Sequence, residues 1–169
     1  ATAVVFVSSF RPWHGAHVLR GAAQRLTGRE DLYFVLVGGT RRGLAEGFRG
    51  IELGRLDYER LPAIVASCDV GVAPYDTARL GQLQLGFFWS PLKVFEALAS
   101  GVPVITLDIA PLHDIVRGAQ EGLFFKENDP GDLARVIASL ADDRKQRKAM
   151  GKSARERAPL FSWEAHAAR

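Results

Sequence analysis

The chain holds one cysteine, Cys68, and one methionine, and neither stands at its start. A single thiol excludes an internal disulfide framework and any metal site built on several cysteines. The four histidines are scattered, with no pair at metal-ligand spacing. No apolar run is long enough to span a bilayer, and no signal peptide is visible. Excess charge is also scarce: 22 Lys and Arg stand against 19 Asp and Glu, a net charge of +3. That balance is compatible with an anionic ligand and too weak to argue for nucleic acid. Aromatic and basic residues do not interleave along a strand as they do in RNA-binding sheets. There is no internal repeat and no low-complexity tract. The chain lacks an initiator Met and begins almost directly with a strand, so it is expected to be a piece of a longer protein.

What is present is an ordinary globular composition, 47% hydrophobic and 24% charged over 169 residues. That is enough for one domain with a substantial core. Short apolar runs alternate with helical patterns. Strands are expected at 3–7, 32–37, 51–53, 70–73, 102–107 and 122–125. Val18, Leu19, Ala22, Ala23 and Leu26 recur at helical spacing, and Gly28 stops that helix. Asp57 is expected to cap a helix from about 58 to 67, followed by helices at 91–100 and 111–117. Asp129 caps the next, with Pro130 at its first position and Asp132 in its first turn. Helices at 144–157 and after Ser162 complete the chain, and residues 75–89 are expected to be loop. Six apolar strands alternating with helices predict an α/β fold, a doubly wound, six-stranded parallel sheet of Rossmann-like type. Ligands of such sheets bind outside the carboxyl ends of the strands. The junctions 8–15, 38–43, 54–57, 74–91, 108–111 and 126–130 are therefore where chemistry is sought.

One junction carries the strongest signal. Ser90-Pro91-Leu92-Lys93 reads as a capped helix start whose unpaired N–H groups and dipole suit a phosphate. Lys93 adds a full charge in the first turn. Glu96 lies one turn on, and Ser100 continues the stripe. A carboxylate one turn from a phosphate site is placed to accept bonds from ribose hydroxyls. Leu92, Phe95 and Ala99 form a second stripe, expected to face the core. The alternative is a solvated Lys–Glu pair worth a few tenths of a kcal/mol.

The same residues carry a family resemblance. VVFVSSFRPWHGAHVL at 4–19, FVLVGG at 34–39, LGRLDYERLPAIVASCDVGVAPY at 53–75 and SPLKVFEALASGVPVI at 90–105 resemble the donor-binding, carboxy-terminal half of the GT-B glycosyltransferases. The likeness is to the large retaining family 4, or group 1. DIVRGAQEGLFFKENDPGDLARVI at 114–137 and FSW at 161–163 complete a set that covers nearly the whole chain in order. The resemblance implies that residues 1–169 form one nucleotide-sugar donor-binding domain, with an acceptor domain on the amino-terminal side that this chain lacks. It implies a cytoplasmic enzyme that transfers a sugar with retention, uses no cofactor and has no obligatory metal. Glu96 resembles the second glutamate of a Glu-x7-Glu motif that holds the ribose. Ser90, Pro91, Leu92 and Lys93 fall where the diphosphate is met, and Arg55 and Leu56 where the base is held. The loop 8–15, with Ser9, Arg11, His14 and Gly15, resembles the one that covers the diphosphate.

Departures accompany the match. The first glutamate of the motif falls on Phe88. Ser8 or Ser9 stands for a glycine, and Ser9 and His14 align with the usual Arg and Lys. Arg11 can supply the missing charge and His14 a hydrogen bond; alternatively, Arg11 is solvated and His14 packs on Trp13. A non-catalytic nucleotide-binding or interaction module on the same fold remains the rival reading. Residues 37–43 are similar to a dinucleotide loop, but Thr40 occupies the place of the second glycine. Asp76 and Asp108 end strands and either face the site or form turns; Asp69 reads as structural. The basic run 144–157 is open to two readings, a solvated face or a peripheral membrane contact. The tail FSWEAHAAR resembles the segment that in the family begins to cross back toward the missing domain.

Overall fold

A computed structural model describes residues 1–39, 49–79 and 90–168. Six strands, β1 (Thr2–Val7), β2 (Leu32–Val37), β3 (Gly50–Gly54), β4 (Val70–Ala73), β5 (Val104–Leu107) and β6 (Gly122–Phe125), form one sheet in the order β3-β2-β1-β4-β5-β6. Every pairing is parallel. The α/β doubly wound architecture expected from the sequence is thus the one observed. Successive side chains of a strand point to opposite faces, and β1 and β2 obey this. Val4, Phe6, Leu32, Phe34 and Leu36 enter the larger core, while Val5, Val35 and Val37 enter a second core with Leu61 and Val65. Both faces are covered, so β4 and β5 are buried at every position.

The helices are α1 (Ala16–Arg25), α2 (Leu61–Ala66), α3 (Leu92–Ala99), α4 (Ala110–His113), α5 (Pro130–Asp142), α6 (Arg144–Arg157) and α7 (Trp163–Ala167). Asp129 caps α5 by accepting from Asp132 N–H, and Ser162 caps α7 by accepting from Ala165 N–H, as the sequence predicts. Asp57 makes no capping bond; a short 3₁₀ turn, Tyr58–Arg60, leads into α2 instead.

Two expectations fail for identifiable reasons, and a third holds only in part. The strand expected from 102 starts at Val104, because residues 101 and 102 close α3. Gly101, at φ +70°, donates to the Leu98 carbonyl, and Val102 to that of Ala97. This pair of bonds is the Schellman ending of a helix. The helix expected over 111–117 is a single turn. Downstream, the buried Glu121 carboxylate takes the Arg117 backbone N–H at 2.8 Å and pairs with its guanidinium, drawing the chain into a turn. The run 144–157 is one helix, α6, but not simply a solvated face. Arg147, Met150, Gly151 and Ala154 are buried, and Arg147, Arg155 and Arg157 donate to backbone carbonyls of neighbouring segments. No helix among the described residues is long and apolar enough to cross a membrane.

Candidate functional site

The carboxyl ends of β1 to β4 open onto a cavity of about 1150 Å³. β1 lies between β2, to which the chain crosses first, and β4, to which it crosses later. The chain runs outward from β1 through β2 to β3 and then returns past β1 to β4, so the strand order reverses between β1 and β4, and this switch point is where a cleft forms in open parallel sheets.

The loop after β1 builds one wall. Ser8 N–H extends the ladder to the Val37 carbonyl at 2.9 Å. Its hydroxyl accepts from Phe10 N–H at 2.9 Å and lies 2.8 Å from His14 Nδ1, with the Ser9 hydroxyl 3.4 Å from the same nitrogen. Phe10 holds a left-handed φ of +53°, a costly state for a bulky residue. Burial, with Lys93 and Arg11 nearby, lowers the His14 pKa to about 4. The ring is therefore neutral at pH 7: it offers the cavity a hydrogen bond rather than a charge. The Arg11 guanidinium is exposed over the Trp13 ring at 5.9 Å and His14 meets Trp13 edge-on, yet both line the cavity.

The opposite wall is α3. Its start differs from the expected cap. No side-chain cap bond is made to the helix among the described residues; Pro91, at φ −81° and ψ 68°, is the last residue before the helix. Leu92 N–H turns back to the Ser90 carbonyl at 3.0 Å, which makes an inverse γ-turn. One first-turn amide is thereby occupied. The core face is also rotated from the expected stripe. Val94, Ala97 and Leu98 are buried, Phe95 is half-buried against Phe161, and Leu92 is 60% exposed at the cavity rim. That rotation turns Lys93 and Glu96 together into the cavity.

Lys93 Nζ sits 4.3 Å from the centre of the Tyr75 ring, a cation–π contact. Burial depresses its pKa to about 8, with Glu96 pulling the other way. The Glu96 carboxyl is pushed up by burial and held down by Lys93. No hydrogen bond to its carboxylate is formed within the described residues. The pair is half-buried and not closed on itself: a cation and an acceptor face the same space.

Of the residues named from sequence, Ser9, Arg11, His14, Arg55, Leu56, Ser90, Leu92, Lys93 and Glu96 line this cavity; Gly15 and Pro91 do not. Gly15 serves packing, since a Cβ there would lie 1.5 Å from the Pro74 carbonyl oxygen. Sequence reasoning gave no site role to Tyr75, Tyr58 and Leu61, which also line it, nor to Gly38-Gly39, noted within a searched junction and a weak dinucleotide-loop match. Their signal was position alone, at or just beyond a strand's exit. Phe88 and residues 40–43 lie outside the described residues. Asp76, 2% exposed, does not face the cavity. It accepts from His17, Arg79 and Asn128, and its own N–H reaches the Trp13 carbonyl, so it ties the β1 loop to the β4 exit. Asp108 pairs with His113, and Asp69 accepts from Ala3 N–H. Among the described residues no group of three or more His, Cys, Asp or Glu side chains is gathered for a metal.

An open, doubly wound parallel sheet with a cation and a carboxylate at its switch-point cavity defines a Rossmann-like α/β domain. The profile described as "Glycosyl transferases group 1" matches residues 1–143, and the chain belongs to that family, the GT-B group its motifs resemble. It is 31% identical over 183 residues to D-inositol 3-phosphate glycosyltransferase of Corynebacterium efficiens, covering 99% of this chain and 41% of that one. Sucrose-phosphate synthase from Thermosynechococcus elongatus superposes with a TM-score of 0.81 at 26% identity, over 99% of this chain and 43% of the other. An Anabaena protein solved in complex with UDP and glucose shares the fold, with a TM-score of 0.73 at 21% identity, over 94% and 43% of the two chains. This chain spans about two fifths of the length of these proteins.

Proposed function

We propose that this chain is the donor-binding half of a retaining glycosyltransferase, which moves a sugar from a nucleotide-diphosphate sugar to an acceptor. The observation that carries the reading is the projection of Lys93 and Glu96 from one face of α3 into the cavity at the carboxyl edge of the sheet. Lys93 takes the diphosphate and Glu96 accepts from the ribose hydroxyls. Arg55 and Leu56, beyond β3, flank the base. Ser9, Arg11 and the neutral His14 close over the diphosphate from the β1 loop.

The chemistry needs no nucleophile from these residues. As the bond from sugar to diphosphate breaks, negative charge gathers on the departing oxygens. Lys93, held against the Tyr75 ring, and Arg11, on the β1 loop, supply positive charge where that charge develops, which stabilises the leaving group electrostatically. Two cations already at hand make a metal unnecessary for this step. Acceptor and any base belong to a second domain, in keeping with the greater length of the relatives. UDP in the Anabaena neighbour supports a nucleoside diphosphate as the shared element of the donor.

Calorimetric titration with UDP-, GDP- and ADP-glucose tests the reading. One of them is expected to bind saturably. Glu96→Ala should then weaken it about 10- to 100-fold, the loss of hydrogen bonds to a charged acceptor. A donor lacking the ribose hydroxyls should lose a similar factor on the native chain and little further on Glu96→Ala. Absence of saturable binding by every donor would leave a non-catalytic module on the same fold.

The pH dependence has a definite sign. Lys93 must be protonated to attract the diphosphate, and its pKa in the free chain is about 8. Affinity is expected to be flat below pH 7 and to fall as pH rises through 8, by up to about tenfold per unit. Lys93→Arg, whose guanidinium does not titrate there, should bind with no such fall. A native profile that stays level to pH 9.5 would remove Lys93 from the diphosphate.

A further inference from the structure

A second recess of about 350 Å³ lies at the opposite, amino-terminal edge of the sheet, where β4 and β5 begin. Arg144, Lys148, Lys152 and Arg155 line it from one stripe of α6, with Arg147 beside them, 9% exposed. Five cations line it beside one acid, Asp69, whose carboxylate already accepts from Ala3 N–H at 2.8 Å, and one of the five, Lys152, also pairs with Glu156 at 3.8 Å.

The recess is built rather than incidental. Gly151 lets α6 press against the turn before β5; a Cβ there would come within 2.4 Å of the Gly101 carbonyl oxygen. Arg155 is fixed by its bond to the Ser100 carbonyl at 3.0 Å. Arg147 is fixed by Nη1, which donates to the carbonyls of Leu140 and Ala141. Its Nε and Nη2 have no acceptor among the described residues, and no buried side-chain nitrogen is left unpartnered there, so those donors are open to solvent. Arg144 and Lys148 have no anionic partner among the described residues. Rigid guanidinium donors with free cations beside them suit a multiply charged phosphoryl group, which takes several charge-assisted bonds at once.

We propose that this recess is an anion site for a compact phosphoryl ligand, separate from the cavity at the carboxyl edge. The ligand is a free polyphosphorylated small molecule or the phosphorylated headgroup of a lipid. The recess shares no lining residue with the cavity at the carboxyl edge, so either site can bind without the other.

Amide NMR of the chain titrated with inositol hexakisphosphate tests it. Saturable shifts are expected at Gly101 and Gly151, in the recess, rather than at Gly38 and Gly39, in the other cavity. The double variant Arg144→Ala/Lys148→Ala, which removes two exposed side chains, should bind about tenfold more weakly. Arg20→Ala/Lys145→Ala removes the same charge from surface outside the recess and should bind as the native chain does. Flotation with phosphatidylcholine vesicles doped with phosphatidylinositol bisphosphate separates the sources. Capture lost in the first variant assigns a lipid headgroup; binding of the free anion without capture assigns a soluble ligand. Shifts spread over the basic surface, equal losses in both double variants, or binding of neither probe would overturn the proposal.

Discussion

Lys93→Ala is expected to weaken binding of a nucleoside diphosphate by about 10- to 150-fold, the worth of a hydrogen bond to a charged group at 1.5–3 kcal/mol. The side chain is held in place before any ligand arrives, with its ammonium against the Tyr75 ring. Little ordering then opposes binding. The same substitution should leave the fold as stable as before or more stable at pH 7. The sign follows from the pKa. A lysine lowered from 10.5 to about 8 is less comfortable charged in the fold than in the unfolded chain. Its burial therefore opposes folding at neutral pH, and the opposition fades between pH 8 and 10.5 as the folded chain gives up the proton first. Alanine removes that opposition. Calorimetry of binding and a thermal melt on one preparation give the two readouts. A large loss of affinity with an unchanged or higher Tm identifies a binding residue held at a cost to stability. A fall in Tm parallel to the loss of affinity would make Lys93 a packing residue instead.

Gly15→Val should be the most damaging single change to the fold. Gly15 has φ +71°, and its missing Cβ would meet the Pro74 carbonyl oxygen at 1.5 Å. Neither neighbour can yield cheaply. Pro74 immediately follows β4, at the exit of the sheet's interior, and Gly15 opens α1, its carbonyl accepting from Val18 and Leu19. A valine adds left-handed strain to a backbone collision, a combination expected to cost upwards of about 3 kcal/mol. For a chain of this size that corresponds to a Tm lower by roughly 10 °C. Nucleotide binding should fall with it, because displacing Pro74 moves Tyr75 from under Lys93. Gly28→Ala is the matched control. Gly28 has an ordinary φ and nothing within 4 Å of a would-be Cβ, so its melt should be unchanged within about 1 °C.

The fold was legible where burial demanded an unbroken signal. β2, β4 and β6 occupy the residues their apolar runs mark, because strands covered on both faces admit no polar position. What was misread depended on partners distant in sequence or on rotation about a helix axis. Ser-Pro before α3 is written alike for a side-chain cap and for a γ-turn, and only the Pro91 ψ distinguishes them. Leu92 looks like core, yet it must be exposed once Lys93 and Glu96 turn together into the cavity. The short α4 reflects a carboxylate at Glu121 that nothing in residues 111–117 announces. The polar run 144–157 looks solvated because the carbonyls that hold Arg147, Arg155 and Arg157 belong to other segments. At the site, Lys93 and Glu96 could be found because one helical turn separates them. Tyr75 could not, since its importance lies in a ring face beneath an ammonium that arrives from another element.

The central place of β1 has a consequence for the nascent chain. Its first neighbour, β2, is made early, but the strand that closes its other side, β4, follows only after β3 and α2 have been completed. At roughly 5–20 residues per second on the ribosome, one long edge of Val4 and Val5 waits for several seconds with its amides and carbonyls unclaimed. An open edge of that kind is what chaperones cover and what aggregates share. Yield from the cell should accordingly respond more to the tempo of translation between Gly54 and Val70 than to changes of similar size near the carboxyl terminus.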